Sequence, residues 1–211
     1  MDHSKKYKNE RKEVARFMRR LYNRGLTTAS GGNISLKISD NLIAITPSST
    51  DKGSMKWKDV GLLTMKGENL TPDLKPSIES EMHLSIYRKK DVRAVVHAHP
   101  TFATAFTAMK NKINVKLTAE ACAVLGEPFF ISYALMGTKK LAELVAKHID
   151  KSDILLLENH GILSSGSNLL QAFDKIEVLE NAARMTLIVD FAGKKKSLSR
   201  EKIKEIEKLF R

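Results

Sequence analysis

The chain has 211 residues, of which 42 % are hydrophobic and 28 % are charged, a composition that predicts one globular domain over residues 1–211. No apolar run approaches the roughly 20 residues of a membrane-spanning helix, and the polar start lacks the apolar core of a signal peptide, so a cytoplasmic protein is expected. The net charge of +12 lies at the ends, since residues 1–24 carry +6 and residues 194–211 carry +5. The nearly neutral body argues against binding of a nucleic-acid backbone.

Seven helices and six strands are predicted from apolar periodicity and from the turn and cap residues between them. In the first half they are, in chain order, a helix over residues 4–24, the strands Ile34–Ile38, Leu42–Ile45 and Gly61–Met65, a helix from a Ser77 cap to about Lys90, and the strand Val92–His97. In the second half they are the helices Thr101–Met109 and Ala119–Leu125, the strand Phe129–Ile131, the helix Thr138–Ile149, the strand Asp153–Leu157, and the helices Leu169–Val189 and Leu198–Phe210. Hairpins mixed with helical crossovers predict an α/β domain with a mixed sheet covered by helices. The fully apolar strand Asp153–Leu157 is expected at the centre of that sheet.

A pair of histidines ends the predicted strand Val92–His97. In His97-Ala98-His99 the two imidazoles are two residues apart, and residues at that spacing share one face of a strand. Imidazoles that converge at a strand end supply ligands that zinc prefers. A bare pair of this kind more often marks strand-end histidines that bind no metal.

A third histidine follows the other buried strand. In Leu157-Glu158-Asn159-His160-Gly161 the apolar run stops just before His160, and Gly161 permits a turn or a close approach of backbone. Alone, His160 would be a hydrogen-bonded loop residue. Because three of the six histidines stand at the ends of two core strands, the sequence predicts a three-histidine metal site.

A carboxylate and a further histidine lie near the predicted start of the second helix. Glu79, in Pro76-Ser77-Ile78-Glu79, either complements the helix dipole or provides a carboxylate that ligates the metal or moves a proton. His83 is four residues later and shares that face. It is expected to support the site or pack behind it rather than to ligate the metal.

Two segments of small residues are candidates for an anion site. Ser30-Gly31-Gly32-Asn33 and Thr46-Pro47-Ser48-Ser49-Thr50 offer backbone N–H groups and hydroxyls that can cradle a phosphate. Each segment alone is an ordinary turn. Both in one chain, together with a metal site, favour an anionic substrate.

These motifs form an ordered pattern: S-G-G-N-I-S, T-P-S-S, K-P-S-I-E, H-A-H-P and E-N-H-G. The pattern resembles the class II aldolase and adducin family, most closely its L-fuculose-phosphate aldolase branch, over roughly residues 7–192. The resemblance implies a three-layer α/β/α fold around a central, mainly antiparallel mixed sheet. It also implies a homotetramer with active sites between subunits and a sugar-phosphate substrate. The charge distribution and the lack of a long apolar run separately predict no nucleic-acid or membrane partner, although the basic ends leave such a role open.

The resemblance also implies roles for individual residues. It implies that His97, His99 and His160 hold zinc, and that Glu79 ligates the resting ion and then serves as acid and base. The positions that match phosphate contacts are Gly32, Asn33, Ser48, Ser49 and Ser77. The implied reaction cleaves a phosphorylated ketose such as fuculose 1-phosphate to dihydroxyacetone phosphate and an aldehyde through a metal-stabilised enediolate.

Some positions depart from the aldolase pattern. Ile78 stands where the aldolases have a second serine, and their proton-transferring tyrosine has no clear counterpart near Thr118. Glu120 is the candidate for that role, and a glutamate in this region resembles the acid/base of methylthioribulose-phosphate dehydratases. Dehydration of methylthioribulose 1-phosphate is therefore an alternative activity. A non-catalytic, adducin-like binding module would have lost its ligands, whereas this chain has all three histidines and Glu79.

Overall fold

Seven strands and seven α-helices are present in the computed structural model, which describes residues 6–109, 111–193 and 196–210. The strands are β1 Asn33–Ser39, β2 Leu42–Ile45, β3 Gly61–Thr64, β4 Ala94–Ala98, β5 Phe129–Ile131, β6 Ile154–Leu157 and β7 Gly161–Gly166. The helices are α1 Lys8–Asn23, α2 Ser80–Lys89, α3 Thr101–Thr107, α4 Ala119–Leu125, α5 Lys139–His148, α6 Leu169–Ala192 and α7 Arg200–Phe210. The predicted first helix began at residue 4, and residues 4 and 5 lie outside the described ranges. Within the described ranges, no helix is both long and apolar enough to span a membrane.

All seven strands form a single sheet in the order β3-β2-β1-β4-β7-β6-β5. Only the β5–β6 pair is parallel, so the prediction of a mainly antiparallel mixed sheet is confirmed. The central position predicted for Asp153–Leu157 is wrong, because β6 lies next to the edge strand β5 and β4 occupies the centre. A continuous apolar run indicates that both faces of a strand are buried. It does not determine whether the strand is central or near an edge of the sheet.

Helices cover both faces of the sheet, so the three-layer arrangement is confirmed. One apolar cluster packs α1, α3, α4 and α6 on one face, and a second cluster packs α2 and α5 on the other. Alternate residues of β4 enter different clusters, with Val96 on the α6 side and Val95 on the α2 side. His97 follows the same alternation as Val95. Its imidazole therefore belongs to the face covered by α2.

Strand register brings three chain segments to one end of the sheet. Because β1 and β4 are antiparallel, Asn33 at the start of β1 pairs with His97 near the end of β4. On the other side of β4, Ala98 pairs with Ile162 at the start of β7. The residues just outside these strand ends are therefore neighbours in space.

Helix α2 begins at Ser80, with Glu79 as the N-cap residue, so the predicted Ser77 cap is wrong. The Ser77 carbonyl accepts from the Ser80 N–H at 3.0 Å, and its hydroxyl accepts from the Glu79 N–H at 3.2 Å. Pro76 is held by a β-bridge to Pro47. The bridge and the turn keep residues 76–78 out of the helix. They also place Glu79 at the N-terminal end of α2.

Candidate metal centre

The three histidines predicted as ligands converge at the end of the sheet. His97 is the fourth residue of β4, His99 follows that strand by one residue, and His160 lies in the turn between β6 and β7. One nitrogen from each ring can be chosen so that all three lie within 4.8 Å of one another. The Nε2 atoms of His97 and His99 are 3.0 Å apart. Two nitrogen lone pairs repel at this distance unless a proton or a cation lies between them, so the spacing fits a metal ion.

The backbone conformation of the turn between β6 and β7 orients His160 toward the rings of His97 and His99. The turn is closed by the His160 N–H, which donates to the Leu157 carbonyl at 3.0 Å. Asn159 adopts a left-handed conformation with φ 52°, which asparagine tolerates better than most residues. The sequence Asn159-His160-Gly161 thus turns the chain sharply and starts β7 alongside β4.

The carboxylate of Glu79 completes the cluster. It is 6 % exposed, with Oε2 3.3 Å from His97 Nε2 and Oε1 3.3 Å from His160 Nε2. Oε2 accepts a hydrogen bond from Asn33 Nδ2 at 2.8 Å, whereas Oε1 is buried and has no hydrogen-bond partner among the described residues. Three imidazoles and one carboxylate are a donor set that binds zinc and similar divalent ions. The unpartnered Oε1 atom and the close nitrogens therefore fit such an ion.

Burial keeps His97 and His99 in the neutral form that binds metals. Burial lowers the pKa of His97 well below its ordinary value, and His99 and His160 lower it further. Burial is also the main cause of the lowered pKa of His99. The His97 ring donates from Nδ1 to the Ile162 carbonyl at 3.0 Å, because a carbonyl can only accept. A neutral ring with its proton on Nδ1 presents the Nε2 lone pair to the site.

Gly161 is required by the packing of the histidines. A Cβ at this position would lie 2.4 Å from His99 Cδ2, 2.7 Å from the Ala98 carbonyl oxygen and 3.2 Å from His97 Cε1. No side chain fits in that space without moving at least one of the two rings. The sequence indicated a close backbone approach here, but it did not indicate which groups approach.

We expect Gly161→Ala to disturb the rings and to destabilise the fold by about 1–3 kcal/mol, the usual cost of overpacking. Urea unfolding measures the stability, and titration with Zn²⁺ measures the effect on the site. Gly61→Ala is the matched control, since Gly61 also begins a strand and its added Cβ has no atom closer than 3.3 Å. Equal effects of the two substitutions on Zn²⁺ affinity would contradict a steric role for Gly161.

The predicted phosphate segments lie together beside Glu79. The Ser48 hydroxyl accepts from the Ile78 N–H at 3.1 Å, and the Ser48 N–H donates to the Lys75 carbonyl at 3.1 Å. Ser49 has a left-handed backbone with φ 55°, and Gly32 one with φ 65°. The structure therefore brings the loop containing Ser48 and Ser49 against the segment containing Ser77, next to the candidate metal ligands.

A buried lysine, which was not predicted from the sequence, joins two of these segments. Lys52 Nζ donates to the Pro47 carbonyl at 2.6 Å, and the Lys52 N–H donates to the Ala29 carbonyl at 2.8 Å. The residue is 1 % exposed, and burial lowers the pKa of its ammonium to about 8. A lysine in a loop rich in Gly and Ser is expected at the surface, so the sequence did not indicate that Lys52 is buried.

Glu120 is not brought to the cluster within one chain. It is exposed in the first turn of α4 and lines a groove of about 920 Å³ with residues of α6 and α7. The described residues that line this groove include neither Glu79 nor any of the three histidines. Glu120 therefore lies in a groove separate from the candidate ligands.

The fold and the cluster define an enzyme with a buried site suited to a divalent metal, built on the sheet of a class II aldolase. The family model for the class II aldolase and adducin N-terminal domain matches residues 12–187, and the chain belongs to this family. It is 39 % identical over 179 residues to an L-fuculose phosphate aldolase of Methanococcus vannielii, covering 84 % of this chain and 96 % of the relative.

Other relatives share the fold and differ in their named reactions. A solved L-fuculose 1-phosphate aldolase superimposes with a TM-score of 0.88 at 30 % identity, covering 100 % of this chain and 99 % of that one. A 3-oxo-tetronate 4-phosphate decarboxylase of Haemophilus influenzae is 32 % identical over 195 residues, covering 90 % of this chain and 91 % of the relative. The family therefore defines a lyase acting on sugar phosphates, and leaves the individual substrate open.

Proposed function

We propose that the protein is a zinc-dependent aldolase that cleaves a phosphorylated ketose, of the fuculose 1-phosphate kind, to dihydroxyacetone phosphate and an aldehyde. The observation that carries the proposal is the Glu79 carboxylate, which lies 3.3 Å from two of three converging imidazoles. In the part of the chain that the structure describes, one of its oxygens has no hydrogen-bond partner. The similarity to two proteins named fuculose phosphate aldolases supports the choice of substrate class.

In this proposal His97, His99 and His160 hold the metal, with Glu79 as a further ligand in the resting state. A bound divalent ion supplies a Lewis acid that stabilises the negative charge left on the ketose fragment when the C3–C4 bond breaks. In the cleavage direction Glu79 would act in its protonated form and give that proton to C3, while the C4 hydroxyl proton goes to a second base. As a carboxylate it would remove the proton from C3 when the reaction runs as a condensation. The burial of Glu79 keeps water away from this proton transfer.

The phosphate end of the substrate is proposed to bind the segments that contain Gly32, Asn33, Ser48, Ser49 and Ser77. Their backbone N–H groups and hydroxyls orient the anion, and remote binding energy of this kind positions the reacting carbons. The ammonium of Lys52 lies behind the Pro47–Ser48 backbone. It adds a positive charge on the side of the loop away from solvent.

We also propose a homotetramer in which the site lies between subunits. An apolar patch beside the centre supports this: Ile78, Tyr133, Leu135 and Met136 are each between 55 % and 58 % exposed. Gly137 packs against Ile78, with an added Cβ 3.3 Å from the Ile78 side chain, so the patch is continuous with residues 77–79. A neighbouring subunit on this patch would shield the site, and its Glu120 is the proposed acceptor of the C4 hydroxyl proton.

A panel of three phosphorylated substrates on zinc-loaded protein tests the proposal. Fuculose 1-phosphate, methylthioribulose 1-phosphate and 3-oxo-tetronate 4-phosphate report cleavage, dehydration and decarboxylation, respectively. We expect release of dihydroxyacetone phosphate from the first compound, its loss after chelation and its recovery when Zn²⁺ is added back. Activity that survives complete metal removal would contradict the proposed mechanism.

Dehydration is the second candidate, and the glutamate at position 120 favours it. Comparing Glu120→Gln with Glu79→Gln on fuculose 1-phosphate and on methylthioribulose 1-phosphate separates the two reactions. An aldolase loses most activity with the change at Glu79, whereas a dehydratase loses most with the change at Glu120.

A further inference from the structure

Five buried polar groups form one continuous chain of hydrogen bonds behind the candidate centre. Glu79 Oε2 accepts from Asn33 Nδ2 at 2.8 Å, and Asn33 Oδ1 lies 2.5 Å from His83 Nε2. On the far side of the ring, His83 Nδ1 lies 2.6 Å from Ser35 Oγ, which lies 2.7 Å from Tyr87 OH. The side chains are at most 6 % exposed, and those of His83 and Ser35 are fully buried. We call these five residues the relay.

The relay arises from two matching periodicities. Glu79, His83 and Tyr87 recur every four residues and so share one face of α2. Asn33 and Ser35 are two residues apart and so share one face of β1. Packing α2 on β1 interleaves the two polar stripes, and each group finds a partner in an otherwise apolar layer. The stripes are distant in sequence, so neither one alone indicates the relay.

Each hydrogen bond in the relay has one allowed direction. A carboxylate accepts, so Asn33 presents Nδ2 to Glu79 and must present Oδ1 to His83. Since an amide oxygen only accepts, the proton of the His83 ring is on Nε2. Burial, and after it the nearby imidazole of His97, lowers the pKa of His83 to about 3. The His83 ring is therefore neutral, and its Nδ1 accepts from Ser35. Burial raises the pKa of Tyr87, whose phenol is therefore protonated and donates to Ser35.

We propose that His83 is a positioning residue of the centre. Acting through Asn33, it holds Oε2 of Glu79 in a hydrogen bond, so that Oε1 is the oxygen that ligates the metal and carries the proton. The structure shows the asymmetry directly, since Oε2 accepts a hydrogen bond and Oε1 has no hydrogen-bond partner within residues 6–109, 111–193 and 196–210. Without the His83 donor, the Asn33 amide can rotate and point Oδ1 at the carboxylate. That rotation would replace the hydrogen bond from Asn33 Nδ2 to Glu79 by a repulsion between Asn33 Oδ1 and the carboxylate. This inference rests on the proposed function only for the proton-transfer step.

Three relay variants test it, with Zn²⁺ affinity and steady-state kinetics as readouts. We expect His83→Leu to weaken Zn²⁺ binding by about 10–100-fold, the usual effect of removing a group that orients a ligand, and to lower kcat more than it changes KM. His83→Gln can restore a donor to Asn33 and should recover part of both losses. Tyr87→Phe breaks the relay at its far end and should have the smallest effect.

A matched control separates positioning from general loss of stability. Ser164 is a fully buried serine of β7 that donates to the Ala172 carbonyl at 2.6 Å and lies outside the relay. Ser35→Ala and Ser164→Ala each remove one buried hydroxyl, and only the former should lower Zn²⁺ affinity. If His83→Leu does not fold, this pair of variants decides the question. Equal Zn²⁺ affinity and kcat in Ser35→Ala, Ser164→Ala and the unaltered protein would overturn the proposal.

The readouts also distinguish failure of this proposal from failure of the proposed function. Should the protein cleave none of the three substrates, a selective loss of Zn²⁺ affinity in His83→Leu and Ser35→Ala would still support the positioning role. Should it cleave fuculose 1-phosphate while relay variants retain full affinity and kcat, the proposed function stands and the relay is only structural. Absence of any Zn²⁺ binding by the unaltered protein refutes both.

Discussion

Replacing His97 with Gln is expected to remove the metal and to lower kcat/KM for fuculose 1-phosphate by about 10³-fold. The Nε2 atom of His97 lies 3.0 Å from His99 Nε2 and 3.3 Å from Glu79 Oε2, so this ring contacts two other members of the candidate ligand set. A Lewis acid at the breaking bond contributes several kcal/mol, and about 1.36 kcal/mol corresponds to a factor of ten in rate. Metal content is measured by elemental analysis after dialysis, and turnover by release of dihydroxyacetone phosphate.

The control for this change is His148→Gln. His148 lies at the end of α5, where its ring stacks on Phe129 with the ring centroids 4.9 Å apart, away from the candidate ligands. We expect this variant to keep both its metal and its turnover. A His97→Gln protein that retains stoichiometric zinc and normal kcat/KM would show that the imidazoles do not form the metal centre.

Glu79→Gln is expected to lower kcat by about 10²–10⁴-fold, the range that a positioned general acid or base contributes. The amide has nearly the shape of the carboxylate, and its oxygen can still accept from Asn33 Nδ2. It cannot carry a proton to the substrate carbon or take one from it. We therefore expect KM to change much less than kcat, because the residues proposed to bind the phosphate are unchanged. Steady-state kinetics on zinc-saturated protein measure both constants.

Glu81→Gln is the matched control, since Glu81 is two residues further on, exposed, and paired with Arg88 at the surface. It should leave kcat unchanged. A Glu79→Gln variant with full kcat when saturated with zinc would exclude Glu79 as the proton-transfer group. The metal site could then remain valid while the assignment of the acid and base fails.

Most helices and strands are predictable from the sequence because their signals are local. The strand Leu42–Ile45 and the helix Ala119–Leu125 have the predicted bounds, since apolar periodicity and flanking turn residues are contained within each segment. The strand β7, Gly161–Gly166, was not predicted. Its residues Gly-Ile-Leu-Ser-Ser-Gly have weak strand preference, and the segment is extended because it pairs with β4 on one side and β6 on the other.

The candidate site was likewise predictable in part from local sequence. The two-residue spacing of His97 and His99 on a strand, and the position of His160 after another strand, indicated converging imidazoles from local sequence alone. The roles of Asn33 and Lys52 in the structure were not predictable at that level. Asn33 contacts Glu79 only because β1 and β4 pair in one register, and Lys52 is buried only because two loops close over it.

The sequence by itself determined which residues could take part in metal chemistry and at which ends of strands and helices they stand, because periodicity, caps and turns act over a few residues. The tertiary structure decided which of these residues meet. Register and helix packing brought Glu79 to the histidines and placed His83 behind Asn33, and they left Glu120 on an outer groove. Contacts of this kind depend on pairings between segments tens of residues apart, and no local pattern records those pairings.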